Sequence, residues 1–304
     1  MEADSARVAP ARFSISAEAF AKLTYVAAAA LFVIVVSGAT VRLTGSGLGC
    51  DNWPRCGSSF LPEENFHALV EYGNRGVGFV VGLVTLAAAL GATRADRLPR
   101  WLLWGAWALP FTVLLQGVLG GITVLVELHP LIVGAHFLLS VLALGVAVVV
   151  ALGAHDFVRG TVKHPPLPAN WLAVVLVPSS LALITTGTLV TAAGPHSGGE
   201  EIKRYGLLPD ALHLHVGATA IFGIAFLGIV ASLLWSKDEA RGDLRFACGV
   251  LGLLLLQMAI GDIQWREHLP WQLVLVHVTM ATAVWAGIVA LAARLLLRSR
   301  PVLP

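Results

Sequence analysis

Three histidines lie inside long apolar segments of the chain, where an ionisable side chain is costly and usually has a function. His136, His215 and His277 each follow a proline by six or seven residues. At a rise of 1.5 Å per residue, this spacing places all three roughly 8 to 10 Å along a helix from its first turn. Neutral imidazole binds iron strongly, and facing histidines on two helices of a bundle commonly hold heme. The residue type and the shared depth therefore predict heme binding.

An internal repeat relates two of these histidines. The stretch LLQGVLGGITVLVELHPLIVGAHFLLS, residues 114–140, aligns without gaps with LLQMAIGDIQWREHLPWQLVLVHVTMA, residues 255–281, so that His136 corresponds to His277. A duplication in which both copies run in the same direction predicts a pseudo-twofold axis along the membrane normal.

The two copies differ at the second histidine. His215 and His277 form one candidate pair, whereas the position in the first copy that corresponds to His215 is Asn74. The segments that precede these helices match more weakly: SGATVRLTGSG, which starts at Ser37, and TGTLVTAAGPHSG, which starts at Thr186. The first copy therefore offers His136 without an obvious partner.

The segment around Asn74, HALVEYGNRGVGFVVG, also carries a carboxylate close to the membrane edge. Glu71 and Arg75 are four residues apart and share one face of a helix. A carboxylate in this position is costly unless it is paired or catalytic. Two interpretations stay open: an ion pair between Glu71 and Arg75, or proton transfer by Glu71 while Arg75 or Arg42 binds a heme propionate.

The composition of the chain is that of a polytopic membrane protein, so these residues are predicted to lie on membrane-spanning helices. Of 304 residues, 57% are hydrophobic and 12% charged, and the mean hydropathy of +0.80 lies outside the range of soluble domains. About 20 apolar residues cross a membrane as a helix. The segments of sufficient length are predicted at residues 20–42, 67–92, 102–126, 130–153, 170–192, 211–235, 245–264 and 271–297. The predicted fold class is all-α, with eight transmembrane helices arranged as two pseudo-twofold-related four-helix bundles.

The repeat also predicts how the chain is divided. An N-terminal half at 20–154 and a C-terminal half at 170–297 are joined by a linker at 155–169, with a segment at 1–19 before them and a tail at 298–304 after them. Most of the 20 basic residues lie in the termini and in the loops after even-numbered segments. Since cytoplasmic loops are enriched in Lys and Arg, both termini and the linker are predicted to be cytoplasmic. No basic run indicates nucleic-acid binding.

Two of the three cysteines lie in the first loop on the opposite side, in LTGSGLGCDNWPRC. An external compartment is oxidising, so Cys50 and Cys56 are predicted to form a disulfide. The bond has two interpretations, a staple on an ordered loop or a redox-active thiol pair. Cys248, in the seventh segment, is predicted to be a small buried apolar residue.

Several of these motifs resemble those of the heme A synthase family. The resemblance rests on VRLTGSGLGC with WPRC, on ALVEYGNR, on LQGVLGGITV leading to HF, and on the eight-span plan in two halves. It implies a membrane oxidoreductase that converts the C8 methyl group of heme O to a formyl group, making heme A for terminal oxidases. It also implies that the C-terminal half holds a heme b and that the N-terminal half binds heme O as substrate.

The resemblance assigns roles to single residues. His215 and His277 would be the axial ligands of the heme b iron, and His136 an axial ligand of the substrate heme iron. Glu71 would be the functional carboxylate of the reaction, and Cys50 and Cys56 the external cysteine pair that many members have.

This chain departs from the pattern E-Y-x-H-R that is frequent in the family, because Asn74 stands where a histidine is expected. Two possibilities follow for the substrate heme. Either His136 holds the iron alone, with an open or water-bound sixth position, or His67, about two turns before Asn74, supplies the second ligand.

Two other functions fit a repeat that contains membrane histidines. A cytochrome b-type quinone oxidoreductase would carry paired sites in both leaflets, whereas the candidates here lie in one, and a transporter would be colourless. The chain has no flavin, dinucleotide or iron–sulfur motif, so the synthase would need an external electron donor. Its other expected partners are heme O and heme A, membrane lipid, heme O synthase and cytochrome oxidase assembly proteins.

Overall fold

The computed structural model describes residues 14–50, 52–62, 64–160, 170–196, 202, 204–236 and 240–297, and within these ranges it contains helices and no β-strand. The predicted all-α class and the eight spans are confirmed, since every helix is long and apolar enough to cross a membrane. The helices are α1 (Ala17–Leu43), α2 (Phe66–Arg94), α3 (Arg100–Leu125), α4 (Pro130–Arg159), α5 (Asn170–Ala193), α6 (Leu208–Trp235), α7 (Arg241–Arg266) and α8 (Trp271–Leu297).

The helix bounds follow the predicted segments, with the largest difference at α4. This helix continues to Arg159 and so crosses the predicted boundary between the N-terminal half and the linker. Most of the predicted linker (161–169), most of the N-terminal segment (1–13) and the tail (298–304) lie outside the described residues.

Local sequence determines where the even-numbered helices begin. The side chain of Asn65 caps α2 by accepting a hydrogen bond of 2.8 Å from the backbone N–H of Ala68, which satisfies one of the free donors of the first turn. Helices α4 and α6 carry Pro130 and Pro209 in their first turns, where a missing N–H has no consequence. Because these starting points are defined, the depth of each histidine along its helix is defined as well.

The helices pack in two sets of four that share a central contact. Helices α1 to α4 contact one another in sequence and α1 also contacts α4; α5 to α8 repeat this arrangement, and the two sets meet through α1, α4, α5 and α8. At the centre of this interface the ring of Trp285 on α8 is buried against Gly145 on α4. The indole N–H donates to the backbone carbonyl of Val141 at 2.6 Å, so the only polar atom of this large side chain is satisfied inside an apolar core.

The outward faces of the helices are apolar, as a lipid environment requires. Ile221 and Ile224 on α6 are more than 70% exposed in the isolated protein. Cys248 is also exposed, on α7, so the prediction that it is buried is wrong. A helix that is apolar on all sides gives no signal of which face points inward, and the thiol lies on the lipid-facing side.

The two ends of the bundle differ. The end formed by the described residues of the loops at 44–65, 126–129, 194–207 and 267–270 is called the disulfide face below. There Arg42 Nε donates to the backbone carbonyl of His196 at 3.2 Å, and His196 Nε2 donates to the carbonyl of Leu269 at 2.6 Å. These bonds connect the end of α1 with two loops of the second set of helices.

Candidate functional site

The disulfide face carries the predicted bond between Cys50 and Cys56, and this pairing is confirmed. Both cysteines are buried and their Cα atoms are 4.5 Å apart. The backbone N–H of Cys50 donates to Glu71 Oε2 at 2.8 Å, so that the disulfide loop is attached to α2 through a carboxylate that is 5% exposed.

Arg75 completes this attachment. Its Nη2 donates to Glu71 Oε1 at 2.6 Å, so the ion pair expected from the i, i+4 spacing is present. The same guanidinium donates to the backbone carbonyls of Asn52, Pro54 and Arg55 at 2.9 to 3.3 Å. Since the loop and Glu71 engage both Nη atoms of Arg75, its guanidinium acts as a clamp on the loop.

Two glycines allow the loop to lie directly on the helices. A Cβ atom at Gly121 on α3 would stand 2.6 Å from the indole ring of Trp53, and one at Gly49 would overlap the backbone carbonyl of His67 on α2. The loop therefore packs directly against the backbone of α2 and α3, with no side chain of Gly49 or Gly121 between them. It covers the end of the first set of helices.

Substituting Gly49 with alanine is expected to destabilise the protein. The clash is with backbone, which cannot rotate away, and overpacking of this kind costs about 1 to 3 kcal/mol. The measurement is the thermal unfolding midpoint of the detergent-solubilised protein. Gly76→Ala is the matched control, because a Cβ at this position on α2 would meet no atom within 4 Å. Equal midpoints for the two variants would contradict the close contact at Gly49.

Each of the three membrane histidines packs its ring against a glycine on the preceding helix. A Cβ atom built on the glycine would lie 3.1 to 3.3 Å from the Cε1 atom of the imidazole. The pairs are His136 with Gly120, His215 with Gly187, and His277 with Gly261. The same arrangement thus occurs three times, between α3 and α4, α5 and α6, and α7 and α8.

The nitrogen atoms of His215 have distinct roles. Its Nδ1 lies 2.9 Å from Thr186 Oγ1, and this hydroxyl uses its only hydrogen to bond the backbone carbonyl of Leu183 at 2.7 Å. Thr186 must therefore accept a hydrogen bond from His215, which assigns the proton to Nδ1 and leaves the lone pair on Nε2. A ligand histidine is usually oriented in this way by a partner at its other nitrogen.

His277 lies close enough to His215 for a direct electrostatic interaction. The backbone carbonyl of Gln257 lies near its ring, and its Nδ1 atom is buried without a hydrogen-bond partner. Within the part of the chain that the structure describes, no hydrogen bond engages Nε2 of either histidine. Two neighbouring imidazoles whose Nε2 atoms are engaged by no described residue could supply the two protein ligands of an iron, so the residues fit a heme.

The first set of helices holds one imidazole at the corresponding depth. Gln116 Nε2 donates to the backbone carbonyl of His136 at 3.1 Å and to Ser140 Oγ at 2.6 Å. The Nδ1 atom of His136 is buried and has no hydrogen-bond partner, and the same is true of Oδ1 of Asn74. These unsatisfied groups mark a polar site that a bound molecule could complete.

His67 and Arg42 lie at the disulfide face. The exposed His67 ring has Nδ1 2.9 Å from Ser46 Oγ, beside the disulfide loop. The Nη2 atom of Arg42 is buried and has no hydrogen-bond partner. An unsatisfied buried guanidinium nitrogen is costly, and a carboxylate is its natural acceptor.

Sequence reasoning missed Thr186 and the glycines under the imidazoles. Gly120 and Gly261 occupy the same position of the gapless repeat as each other, so the alignment contained a signal for two of the three. The weaker part of the repeat aligns Thr186 with Ser37, but it does not predict the contact of the Thr186 hydroxyl with His215, which depends on how α5 and α6 pack.

Comparison with known proteins finds one matching family and several similar heme A synthases. The family COX15-CtaA, described as cytochrome oxidase assembly protein, matches residues 21–65 and 59–196. A heme A synthase of Symbiobacterium thermophilum is 29% identical over 273 residues, which cover 84% of this chain and 89% of that protein. One of Bacillus licheniformis is 24% identical over 249 residues, covering 76% and 81%. One of Geobacillus thermodenitrificans is 34% identical over 105 residues, covering 34% and 33%.

Proposed function

Because the chain belongs to the COX15-CtaA family of cytochrome oxidase assembly proteins, we propose that it is a heme A synthase. It is a multi-pass membrane oxidoreductase that oxidises the C8 methyl group of heme O to a formyl group. The observation that carries the proposal is the match of similar heme A synthases over most of the chain, and the proximity of His215 and His277 supports it. The matches reported above do not support a quinone oxidoreductase or a transporter.

The second set of helices is proposed to hold a heme b. His215 and His277 would bind the iron through Nε2, and Thr186 holds the tautomer of His215 that makes this possible. A bound heme b would supply one-electron transfer, which the chain needs because its sequence has no flavin, dinucleotide or iron–sulfur motif. Gly187 and Gly261 support this arrangement, since each lets the Cε1 edge of an imidazole approach a neighbouring helix closely.

The first set of helices is proposed to bind the substrate. His136 would hold the iron of heme O, and the unpartnered Nη2 of Arg42 would donate a hydrogen bond to a propionate oxygen of the tetrapyrrole. Glu71 lies on the same helix as Asn74, three residues earlier, and would move protons during the two successive oxidations of the methyl group. The disulfide loop, which covers this end through Trp53 and Arg75, would exclude bulk water.

The distribution of basic residues supports an orientation with both termini in the cytoplasm and the disulfide face outside. A separate electron donor, which is not part of this chain, would then deliver electrons to the proposed heme b. Heme O synthase is the proposed source of the substrate, and cytochrome oxidase assembly proteins the proposed recipients of heme A.

The function is tested by expressing the chain in cells that make heme O and lack a heme A synthase of their own. Extracted pigments are separated, and the formyl heme is identified by its mass and its absorption. We expect heme A only in cells that express the chain, with empty-vector cells as the control. Recovery of heme b together with unchanged heme O would indicate an electron-transfer cytochrome instead, and a colourless purified protein would indicate a transporter.

A further inference from the structure

The repeat aligns Asn74 in the first set of helices with His215 in the second, so the surroundings of these two positions can be compared. In the second set of helices this position is built from a histidine, a glycine under its ring and a hydroxyl at its Nδ1 atom. The three are His215, Gly187 and Thr186, and the residues aligned with them in the first set are Asn74, Gly38 and Ser37. The glycine and the hydroxyl are thus retained while the imidazole is replaced.

The replacement changes the space available. A Cβ atom at Gly187 would lie 3.2 Å from the His215 ring, whereas a Cβ at Gly38 would meet no atom within 4 Å. The shorter side chain of Asn74 does not reach the surface that an imidazole covers in the second set. A small molecule therefore has room beside Gly38.

The carboxamide of Asn74 is available to such a molecule. Its Oδ1 is buried without a partner, and a buried polar atom without a hydrogen bond is costly unless something completes it. The Oδ1 atom can accept a hydrogen bond from a water, while the –NH₂ group of the same carboxamide can donate to a neutral diatomic molecule or a small anion.

His67 is held away from this position. Its Nδ1 is engaged by Ser46, and its backbone carbonyl lies directly against Gly49 of the disulfide loop. It precedes Asn74 by about two helical turns, or roughly 10 Å along α2. Bringing its ring opposite His136 would require unwinding the start of α2 and detaching the loop.

We propose that the first set of helices holds its heme through His136 alone and keeps the side lined by Ser37, Gly38 and Asn74 for a small exogenous ligand, which the Asn74 carboxamide hydrogen-bonds. This inference rests on the proposed function, because it requires a heme at His136. The two halves would then differ chemically. His215 and His277 would both bind the iron of heme b, while iron held by His136 could take a small ligand without first losing a protein one.

The probe is cyanide, added to the purified full-length ferric protein that has been supplied with heme O. Absorption and low-temperature electron paramagnetic resonance are expected to show one heme that binds cyanide and one that does not. In Asn74→His, the first site is expected to become low-spin with two histidine ligands, and its affinity for cyanide to fall by about tenfold or more. In Asn74→Ala the position stays open, so cyanide is expected to bind, but several-fold more weakly because the hydrogen bond is absent.

The outcomes separate this inference from the proposed function. A wild-type protein that makes heme A, yet whose hemes are all low-spin and unresponsive to cyanide, would overturn the open position and leave the function intact. Cyanide binding that is equal in wild type and Asn74→His would overturn the role of Asn74. A protein that takes up no heme O and makes no heme A would overturn the function, and the inference with it.

Discussion

Replacing His277 with alanine is expected to abolish stable binding of heme b in the second set of helices, and His215→Ala is expected to do the same. Each substitution removes one of two proposed iron ligands and leaves a single imidazole to hold the group. Loss of a residue that merely orients a metal ligand already lowers metal affinity by roughly 10- to 100-fold, so loss of the ligand itself should exceed this range. The measurement is the absorption spectrum and the heme-to-protein ratio of the purified variants.

His213→Ala is the matched control for this experiment. His213 is on the same helix, two residues before His215, and is exposed. Two residues correspond to about 200° around a helix, so its ring points away from His277. The control variant is expected to keep the wild-type spectrum. If the bound heme absorbs identically in wild type and His277→Ala, the pair does not ligate iron and the proposed heme b site is wrong.

Much of the fold could be predicted from apolar length alone. Eight helices follow from segments that are long enough to cross a membrane, and prolines near the starts of α4, α6 and α8 define the depth of the histidines. The disulfide could be predicted as well, because two of three cysteines fall close together in a loop on the side opposite most basic residues. These features depend on local composition and on the order of the segments.

Features that depend on helix rotation could not be predicted. The outward position of Cys248 and the contact between Thr186 and His215 are set by which face of a uniformly apolar helix points inward, and hydropathy carries no such signal. The two attachments of Glu71, to Arg75 and to the backbone of Cys50, could be predicted only in part for a related reason. The spacing indicated its pairing with Arg75, but the hydrogen bond from the Cys50 backbone arises only when the disulfide loop folds onto α2.

This double attachment determines how Glu71 has to be tested. Glu71→Gln is expected to lower conversion of heme O by about 10²- to 10⁴-fold, the usual range for loss of a group that transfers protons. The substitution also has a structural effect, because a glutamine can still accept from Cys50 but places an –NH₂ group or a neutral oxygen where the carboxylate bonds Arg75. That loss is expected to cost about 1 to 3 kcal/mol of local stability. Activity alone therefore cannot separate the two roles.

Arg75→Gln separates them. It removes the same ion pair and the bonds to the carbonyls of Asn52, Pro54 and Arg55, but leaves the carboxylate of Glu71 able to titrate. We expect Arg75→Gln to loosen the disulfide loop at least as much as Glu71→Gln, measured as the rate at which a mild reductant opens the bond between Cys50 and Cys56. It should nevertheless retain far more heme A formation. If the two variants lose activity equally, Glu71 acts only by holding the loop, and the proton must be moved by another group.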